Sequence, residues 1–363
     1  MKKIALFISS LQKGGSERVM VNLAEYFYRQ GTEVVVVTQY KKETEYDIIP
    51  EIRRVYSEPD EELLQGNRAN KFMVRFRYLR NIWKTENPDV ILAFLGKNNL
   101  MAIATSRFLP VKTVVSVRGE PTMEYEGRIM QSLAKVIFRF ADGIVLQTQR
   151  AMEFFPKSVQ RKAVVLPNPL NPLFLKKKQI AEKDNIIVAA GRLDDNKNHA
   201  MLIHAFARIA SEYPNIKLII YGEGECREQL ERLIEEKELT DRITLPGSVT
   251  DIADRIAKAR IFTLTSNTEG MPNSIMEAMA LGIPVISTDC PCGGPATLIR
   301  DGENGLLIPV GDAYALADAM RQILSNPGLE HKLGENAYKI TEELNPEKVD
   351  NQWKKYLEQV AAK

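Results

Sequence analysis

Hydrophobic positions fall into two kinds of segment along the first half of the chain. Short, nearly unbroken runs of Val, Ile, Leu and Phe lie at 4–8, 33–37, 90–94, 113–117, 143–146 and 163–166. They are too short for helices and too uniformly apolar for strands with one wet face. They therefore predict strands buried on both sides, as in a parallel sheet. Between them, at 17–29, 71–84, 99–108 and 127–140, apolar residues recur at helical spacing among charges. Strand and helix alternate, which predicts a sheet covered by helices on both faces.

The pattern breaks at Pro167-Asn168-Pro169 and Asn171-Pro172, and the following Lys176-Lys177-Lys178 reads as solvated. It then restarts, with strands expected at 185–190, 216–221, 243–245, 261–264, 284–287 and 306–308. Helices are expected at 200–212, 227–237, 252–258, 272–281, 313–324 and 328–343. After Leu344-Asn345-Pro346 a last helix, 346–360, is free to pack elsewhere. The expected organisation is a first doubly wound domain over 1–168, a linker over 169–184 and a second such domain over 185–344. A C-terminal helix, 345–363, is expected to pack back toward the first domain. Two doubly wound sheets in series set the ends of their strands around a cleft, where open α/β sheets bind ligands.

Composition narrows the class. The chain has 363 residues, 44% hydrophobic and 26% charged, which excludes collagen-like, disordered and disulfide-scaffold proteins. No apolar run reaches the ~18 residues that span a bilayer. The N-terminal run 4–8 is shorter than a signal-peptide core of roughly 7–15 residues, and a first buried strand is the expected reading. Three cysteines point to a reducing compartment. Cys290-Pro-Cys292 lacks the two-residue spacing of a redox or zinc motif, and His199, His204 and His331 are the only histidines. No metal site is expected.

The net charge of +2 hides a split. Residues 1–180 carry 29 Lys and Arg against 18 Asp and Glu, and the remainder carries 20 against 29. A basic first half suits an anionic partner. The 71–84 stretch places Phe72, Phe76, Leu79 and Trp83 on one helical face, with Arg75, Arg77 and Lys84 at its edge. It reads as a crossover helix packed on the sheet, or as a surface for anionic lipid. Arg128, Lys135 and Arg139 mark a second such helix. No nucleic-acid recognition module is present.

The loops carry the chemistry. Residues 9–18, SSLQKGGSER, are neither a dinucleotide fingerprint nor a phosphate-binding P-loop. Gly14 and Gly15 let backbone approach a ligand ahead of a helix N-terminus, and a plain tight turn fits the same residues. In 191–198, GRLDDNKN, Arg192 and Lys197 lie on a strand-to-helix loop and suit a diphosphate; two surface cations beside Asp194 and Asp195 are the plainer reading. Tyr221-Gly222-Glu223-Gly224-Glu225 reads equally as a ligand loop or a structural turn. In 268–286, TEGMPNSIMEAMALGIPVI, Pro272 suits the first helical position and Gly282 the helix end. Glu277 then lies one to two turns inside a helix whose first amides, near 271–274, can hold a phosphate. Glu269 and Glu277 can accept hydrogen bonds from hydroxyls, so the expected ligand carries both phosphate and sugar.

With these motifs in order, together with LPGSVTD (245–251) and DGENGLLIP (301–309), the sequence resembles the family-4, group 1 retaining glycosyltransferases of GT-B fold. Their mark is two glutamates separated by seven residues, here Glu269 and Glu277. The resemblance implies two Rossmann-like domains facing each other across a cleft. It implies that Arg192 and Lys197 neutralise the nucleotide diphosphate and that Glu277 binds the ribose. Glu269 would contact the donor sugar, helped by the backbone of the Gly270, Met271, Pro272, Asn273 and Ser274 stretch, in which every residue but the proline offers an N–H. Val249 would meet the base through its backbone, and Gly14 and Gly15 would close over the donor. The implied catalytic set is Glu269, Arg192 and Lys197.

One position departs from the family. Many relatives carry a histidine where this chain has Arg118, followed by Glu120. A guanidinium stays protonated and cannot act as a base, but Arg118 could bind an acceptor phosphate or the donor sugar, with Glu120 as its polar partner.

The expected activity is transfer of a hexose or N-acetylhexosamine from a nucleotide sugar, UDP-linked, to a glycan or polyprenyl-linked saccharide. Neither metal nor cofactor is expected, the cations and helix dipole serving the leaving diphosphate. The enzyme is expected in the cytoplasm, peripheral on the inner face of the membrane if its acceptor is lipid-linked. The competing readings are a GT-B sugar-nucleotide 2-epimerase and a non-catalytic sugar-nucleotide-binding subunit.

Overall fold

The computed structural model describes residues 1–175 and 182–363. Its contacts divide the chain into two units, Met1–Asn168 with Glu347–Lys363, and Pro169–Pro346. The expected solvated run at Lys176-Lys177-Lys178 lies outside the described residues.

Unit 1 holds β1 (Lys3–Ile8), β2 (Glu33–Thr38), β3 (Arg53–Tyr56), β4 (Val90–Phe94), β5 (Lys112–Ser116), β6 (Gly143–Leu146) and β7 (Ala163–Val165). They form one parallel sheet in the order β3-β2-β1-β4-β5-β6-β7. The apolar runs are its centre: Ile4 to Ile8 and all of β4 are sealed from solvent. Hydrophobic patterning misses β3, because this edge strand is paired only with β2 and its Arg-Arg-Val-Tyr side chains stay partly exposed.

The longer helices of unit 1 are α1 (Gly15–Arg29), α2 (Arg68–Glu86), α3 (Gly96–Ser106) and α4 (Arg128–Ile137). The apolar face expected on α2 divides in two. Leu79 and Trp83 are buried, with Trp83 edge-on to Phe7, whereas Phe72 is exposed and packs on Phe76. Arg75 is held by Glu58 at 2.5 Å, so one of the edge cations is already neutralised.

Unit 2 repeats the architecture. Its strands are β8 (Ile186–Ala190), β9 (Lys217–Tyr221), β10 (Ile243–Gly247), β11 (Ile261–Leu264), β12 (Val285–Thr288) and β13 (Leu306–Ile308). Their order is β10-β9-β8-β11-β12-β13, again all parallel. The longer helices are α5 (His199–Ile209), α6 (Arg227–Glu236), α7 (Asn273–Ala280), α8 (Ala313–Leu324) and α9 (Pro327–Tyr338). The helix expected over 328–343 is interrupted after Tyr338, and a separate short helix follows at Ile340–Glu343. In each sheet the strand order reverses beside the first strand, so the loops after β8 and β11 flank the switch point of unit 2.

The last helix, α10 (Pro346–Ala361), is counted almost wholly with unit 1. Its buried stripe is Val349, Asp350, Trp353, Leu357 and Val360. Trp353 lies 5.9 Å from the Phe94 ring and donates Nε1–H to the Pro167 carbonyl at 3.1 Å. Tyr356 Oη accepts from Ile144 N–H at 2.9 Å and donates to the Lys162 carbonyl at 3.0 Å.

Asp350 is the exception on that apolar stripe. Burial pushes its carboxyl up to about 7, and Oδ1 accepts no hydrogen bond. The raised value means the folded state holds its proton longer than the unfolded chain, so stability falls as pH rises from about 4 to about 7. Asp350→Asn is therefore expected to be the more stable protein at pH 8, by up to ~4 kcal/mol, and to match the parent near pH 4. Thermal midpoints across that range check this; a gap independent of pH would remove the assignment.

Candidate functional site

Three loops meet at the switch point of unit 2. The first, Gly191–Asn198, leaves β8 and turns where Lys197 N–H donates to Asp194 Oδ1 at 2.9 Å. Asn198 takes the left-handed conformation at φ 48° and caps α5 by accepting from Met201 N–H. The second loop follows β11 and opens α7, and the two are laced together. Asn196 Oδ1 accepts from the Thr268 N–H at 3.1 Å and from its hydroxyl at 2.8 Å, while Asn196 Nδ2 donates to the Thr268 carbonyl at 3.0 Å. Asn267 N–H donates to the Asn196 carbonyl, Asn267 Nδ2 to the Asp195 carbonyl, and the Thr265 hydroxyl to the Lys197 carbonyl.

This lacing brings Lys197 and Glu269 together as an ion pair, both side chains largely buried. Ser266 Oγ donates to the same carboxylate oxygen at 2.6 Å. Arg192 lies on the same loop but is 79% exposed, with Asp194 as its ion-pair partner at 3.2 Å. His199 is buried behind them. Burial, reinforced by the Lys197 charge, pulls it down to about 4, so it stays neutral at physiological pH and adds no third cation.

Pro272 precedes the first residue of α7, and no side chain caps the helix. Its first-turn amides, from Asn273 and Ser274 onward, carry the positive end of the helix dipole. Gly270, Met271 and Pro272 are buried at its mouth, and Glu277 is buried in its second turn. The Gly222-Glu223-Gly224 turn packs against the first loop. A Cβ at either glycine would overlap the carbonyl of Gly191 or Leu193, and Glu223 is held by Arg227 at 2.6 Å. A third loop, after β12, presses from the other side, where a Cβ at Gly294 would overlap the Gly270 carbonyl. It carries Cys290 and Cys292, both buried free thiols. Burial, then the Glu269 charge, pushes Cys290 up to about 12, so it stays protonated. Val249 is half-buried in the loop after β10.

The remaining predicted residues lie in unit 1. Gly14 and Gly15 form the β1–α1 junction, with Gly14 preceding the first turn of α1. Arg118 is buried beneath the loop after β5. Its guanidinium lies 4.5 Å from the Phe94 ring and 5.8 Å from Trp353, and it donates to Asn168 Oδ1 and, at 3.4 Å, to Ser116 Oγ. Burial pulls it to about 9, so it remains cationic at neutral pH. The partnership expected with Glu120 is not formed. Glu120 instead caps the short helix Pro121–Glu124, and the half-buried carboxyl group beside Arg118 is Glu124. Glu124 accepts from the N–H groups of Arg118 at 2.5 Å, Gly119 at 2.7 Å and Gly96 at 3.0 Å.

Sequence reading did not single out Ser266, Asn196 or Asn267 as site residues. The signal available was local: Asn196 and Asn198 sit in a loop otherwise devoted to charge. Among the described residues no group of three or more His, Cys, Asp or Glu could hold a metal ion.

Two family models divide the chain at its linker. "Glycosyltransferase Family 4" matches residues 13–172 and "Glycosyl transferases group 1" matches residues 172–340. With the paired glutamates flanking the α7 mouth and two doubly wound units, the chain belongs to the group 1 glycosyltransferases and has the GT-B fold. It is similar, at 26% identity over 99% of both chains, to the Campylobacter jejuni GalNAc-alpha-(1->4)-GalNAc-alpha-(1->3)-diNAcBac-PP-undecaprenol alpha-1,4-N-acetyl-D-galactosaminyltransferase. It is 27% identical, over 98% of its length and all of the relative, to the N-acetylgalactosamine-N,N'-diacetylbacillosaminyl-diphospho-undecaprenol 4-alpha-N-acetylgalactosaminyltransferase of the same organism. Among solved structures, Anabaena HepE in complex with UDP superposes with a TM-score of 0.83 at 19% identity, covering 99% of this chain and all of that one.

Proposed function

We propose that this glycosyltransferase moves an N-acetylhexosamine or hexose from a UDP-sugar to a lipid-linked saccharide, with retention of anomeric configuration. The observation that carries the reading is the Lys197–Glu269 pair at the mouth of α7, with Arg192 exposed beside it. Cations and a helix N-terminus at one loop cluster suit a diphosphate, and carboxylates at the same place suit sugar hydroxyls. In this reading Lys197 and Arg192 stabilise the diphosphate as the bond from sugar C1 to phosphate oxygen breaks. Glu269 orients the sugar and Glu277 the ribose. The acceptor hydroxyl attacks C1 from the face the diphosphate leaves, and its proton passes to the departing phosphate oxygen. The names of the two Campylobacter relatives support the N-acetylhexosamine and the diphospho-undecaprenol-linked acceptor.

The test is a panel of UDP-sugars with a polyprenyl-diphosphate saccharide, measuring UDP release and the anomeric configuration of the product. Transfer from one UDP-N-acetylhexosamine with retention is expected; inversion, or no release from any donor, would overturn the proposal. With side-chain cations and helix amides serving the diphosphate, activity is expected to persist in EDTA. Complete loss in EDTA, restored by Mg2+ or Mn2+, would show that a divalent ion does that work instead.

A further inference from the structure

On α4 and the short turn Phe138–Phe140 that follows it, the apolar side faces solvent rather than the core. Ile129, Leu133, Val136 and Phe140 follow one another at helical spacing, and all four are exposed, Ile129 to 87%. Ala134 is the one buried residue of the helix. Beside this stripe, at the end of α3, Phe108 is 90% exposed and sits at φ 61°. A bulky side chain in the left-handed region is strained backbone, the region where Gly or Asn would be expected. Here that strain presents an aromatic ring to the outside. Arg107 ties the two elements together, its guanidinium 5.0 Å from the Phe108 ring and 4.9 Å from the Phe140 ring. The rim is basic: residues 125–141 carry Arg128, Lys135 and Arg139 against Glu126 alone. The Lys162 ammonium adds a fourth cation where it donates to the Arg139 and Ala141 carbonyls.

We infer that this face of unit 1 docks on an anionic lipid surface, the stripe from Ile129 to Phe140 and the Phe108 ring entering the acyl boundary while Arg107, Arg128 and Arg139 meet headgroups. The pairing of an apolar stripe with a cationic rim is the chemistry of an interfacial helix. Of the two basic segments singled out in the sequence, α2 fits a lipid surface less well, since Trp83 and Leu79 are turned inward and Arg75 is occupied by Glu58. The inference deepens the proposed function by naming the surface that carries a lipid-linked acceptor.

Co-sedimentation of the full chain with vesicles tests it. Binding is expected to vesicles holding roughly 30% phosphatidylglycerol and to be much weaker on phosphatidylcholine alone. Because part of the contact is apolar, a fraction should resist about 0.5 M salt, where charge alone is screened. Phe108→Ser with Ile129→Ser should weaken binding by ~10-fold or more and abolish the salt-resistant fraction, the scale for withdrawing two large apolar side chains. Arg107→Gln with Arg139→Gln should remove the preference for anionic lipid. Phe72→Ser with Met73→Ser, exposed on α2, should leave binding unchanged.

Absence of binding by the parent protein at low salt would overturn the inference. So would equal loss in the α2 variant, or light scattering in which Phe108→Ser with Ile129→Ser abolishes a dimer without altering vesicle binding. Each variant is also assayed for hydrolysis of the UDP-sugar donor in solution. Unchanged hydrolysis with lost vesicle binding isolates the docking surface from the transfer site. A parent that binds vesicles but releases no UDP faults the proposed function instead.

Discussion

Replacing Lys197 by alanine is expected to lower turnover by ~10²–10³-fold, the scale for removing one preorganised contact to a developing negative charge. The difficulty is that Lys197 also neutralises Glu269 in a poorly solvated place, so the single variant mixes lost catalysis with a stranded carboxylate. Combining Lys197→Met with Glu269→Gln removes the stranded charge. If the pair only holds two loops together, the double variant recovers most of the activity. If the ammonium serves the diphosphate, the double variant remains at least ~10²-fold impaired while its thermal midpoint returns toward that of the parent. Arg192→Ala is the cleaner arm. Its side chain is exposed and pairs with Asp194 alone among the described ion pairs, and the Asp194 carboxylate, although 18% exposed, keeps the Lys197 N–H as a donor at 2.9 Å when the guanidinium is removed. A loss of ~10²-fold without a change in stability is expected, and full activity in both Arg192→Ala and Lys197→Ala would remove the diphosphate assignment.

Gly294→Ala is expected to lower transfer by ~10²-fold, acting through the backbone rather than through any charge. The added methyl would overlap the Gly270 carbonyl, and a carbonyl fixed at the mouth of α7 cannot swing aside as a side chain does. Either the loop after β12 or the residues Glu269 and Gly270 must shift. An ångström of displacement at a reacting centre costs on the order of 10²-fold in rate, and overpacking costs ~1–3 kcal/mol in stability. Gly224→Ala should behave similarly through the Leu193 carbonyl. The useful contrast is Gly311→Ala: this glycine has open space around it, so the cost there is only the strain of its φ of 79°. Turnover and thermal midpoint measured for the three variants should separate the first two from the third. Wild-type turnover in Gly294→Ala would mean the contact with Gly270 does not position the site.

How much of this was legible in the sequence depends on the range of the interactions. Strands at the centre of each sheet announce themselves because both faces must be apolar, as in Ile4–Ile8 and Ile261–Leu264. Edge strand β3 does not, because exposed Arg53 beside partly buried Arg54 satisfies no apolar period. The helix of the paired glutamates was legible from the punctuation at Pro272 and Gly282, both local signals. The lacing of Asn196 to Thr268 was not, since its partners lie 72 positions apart and amide side chains carry no charge to suggest a ligand. Amphipathic spacing likewise reveals a stripe but not which side of the element the core occupies. On α2 the buried part of the face is its second half, and on α4 the apolar stripe is turned outward.

The division of the chain also bears on how it is made. Unit 2 is one continuous stretch, Pro169–Pro346, whereas unit 1 is completed by Glu347–Lys363. During synthesis at ~5–20 residues per second, unit 1 emerges first but waits roughly ten to forty seconds for its last helix. For that interval the surface that receives Trp353 and Leu357, including the Phe94 ring, has no cover while an entire second unit is being translated. The ribosome thus releases the inserted unit before the one it interrupts is finished, and a nascent chain stalled before residue 347 is the species most in need of a chaperone.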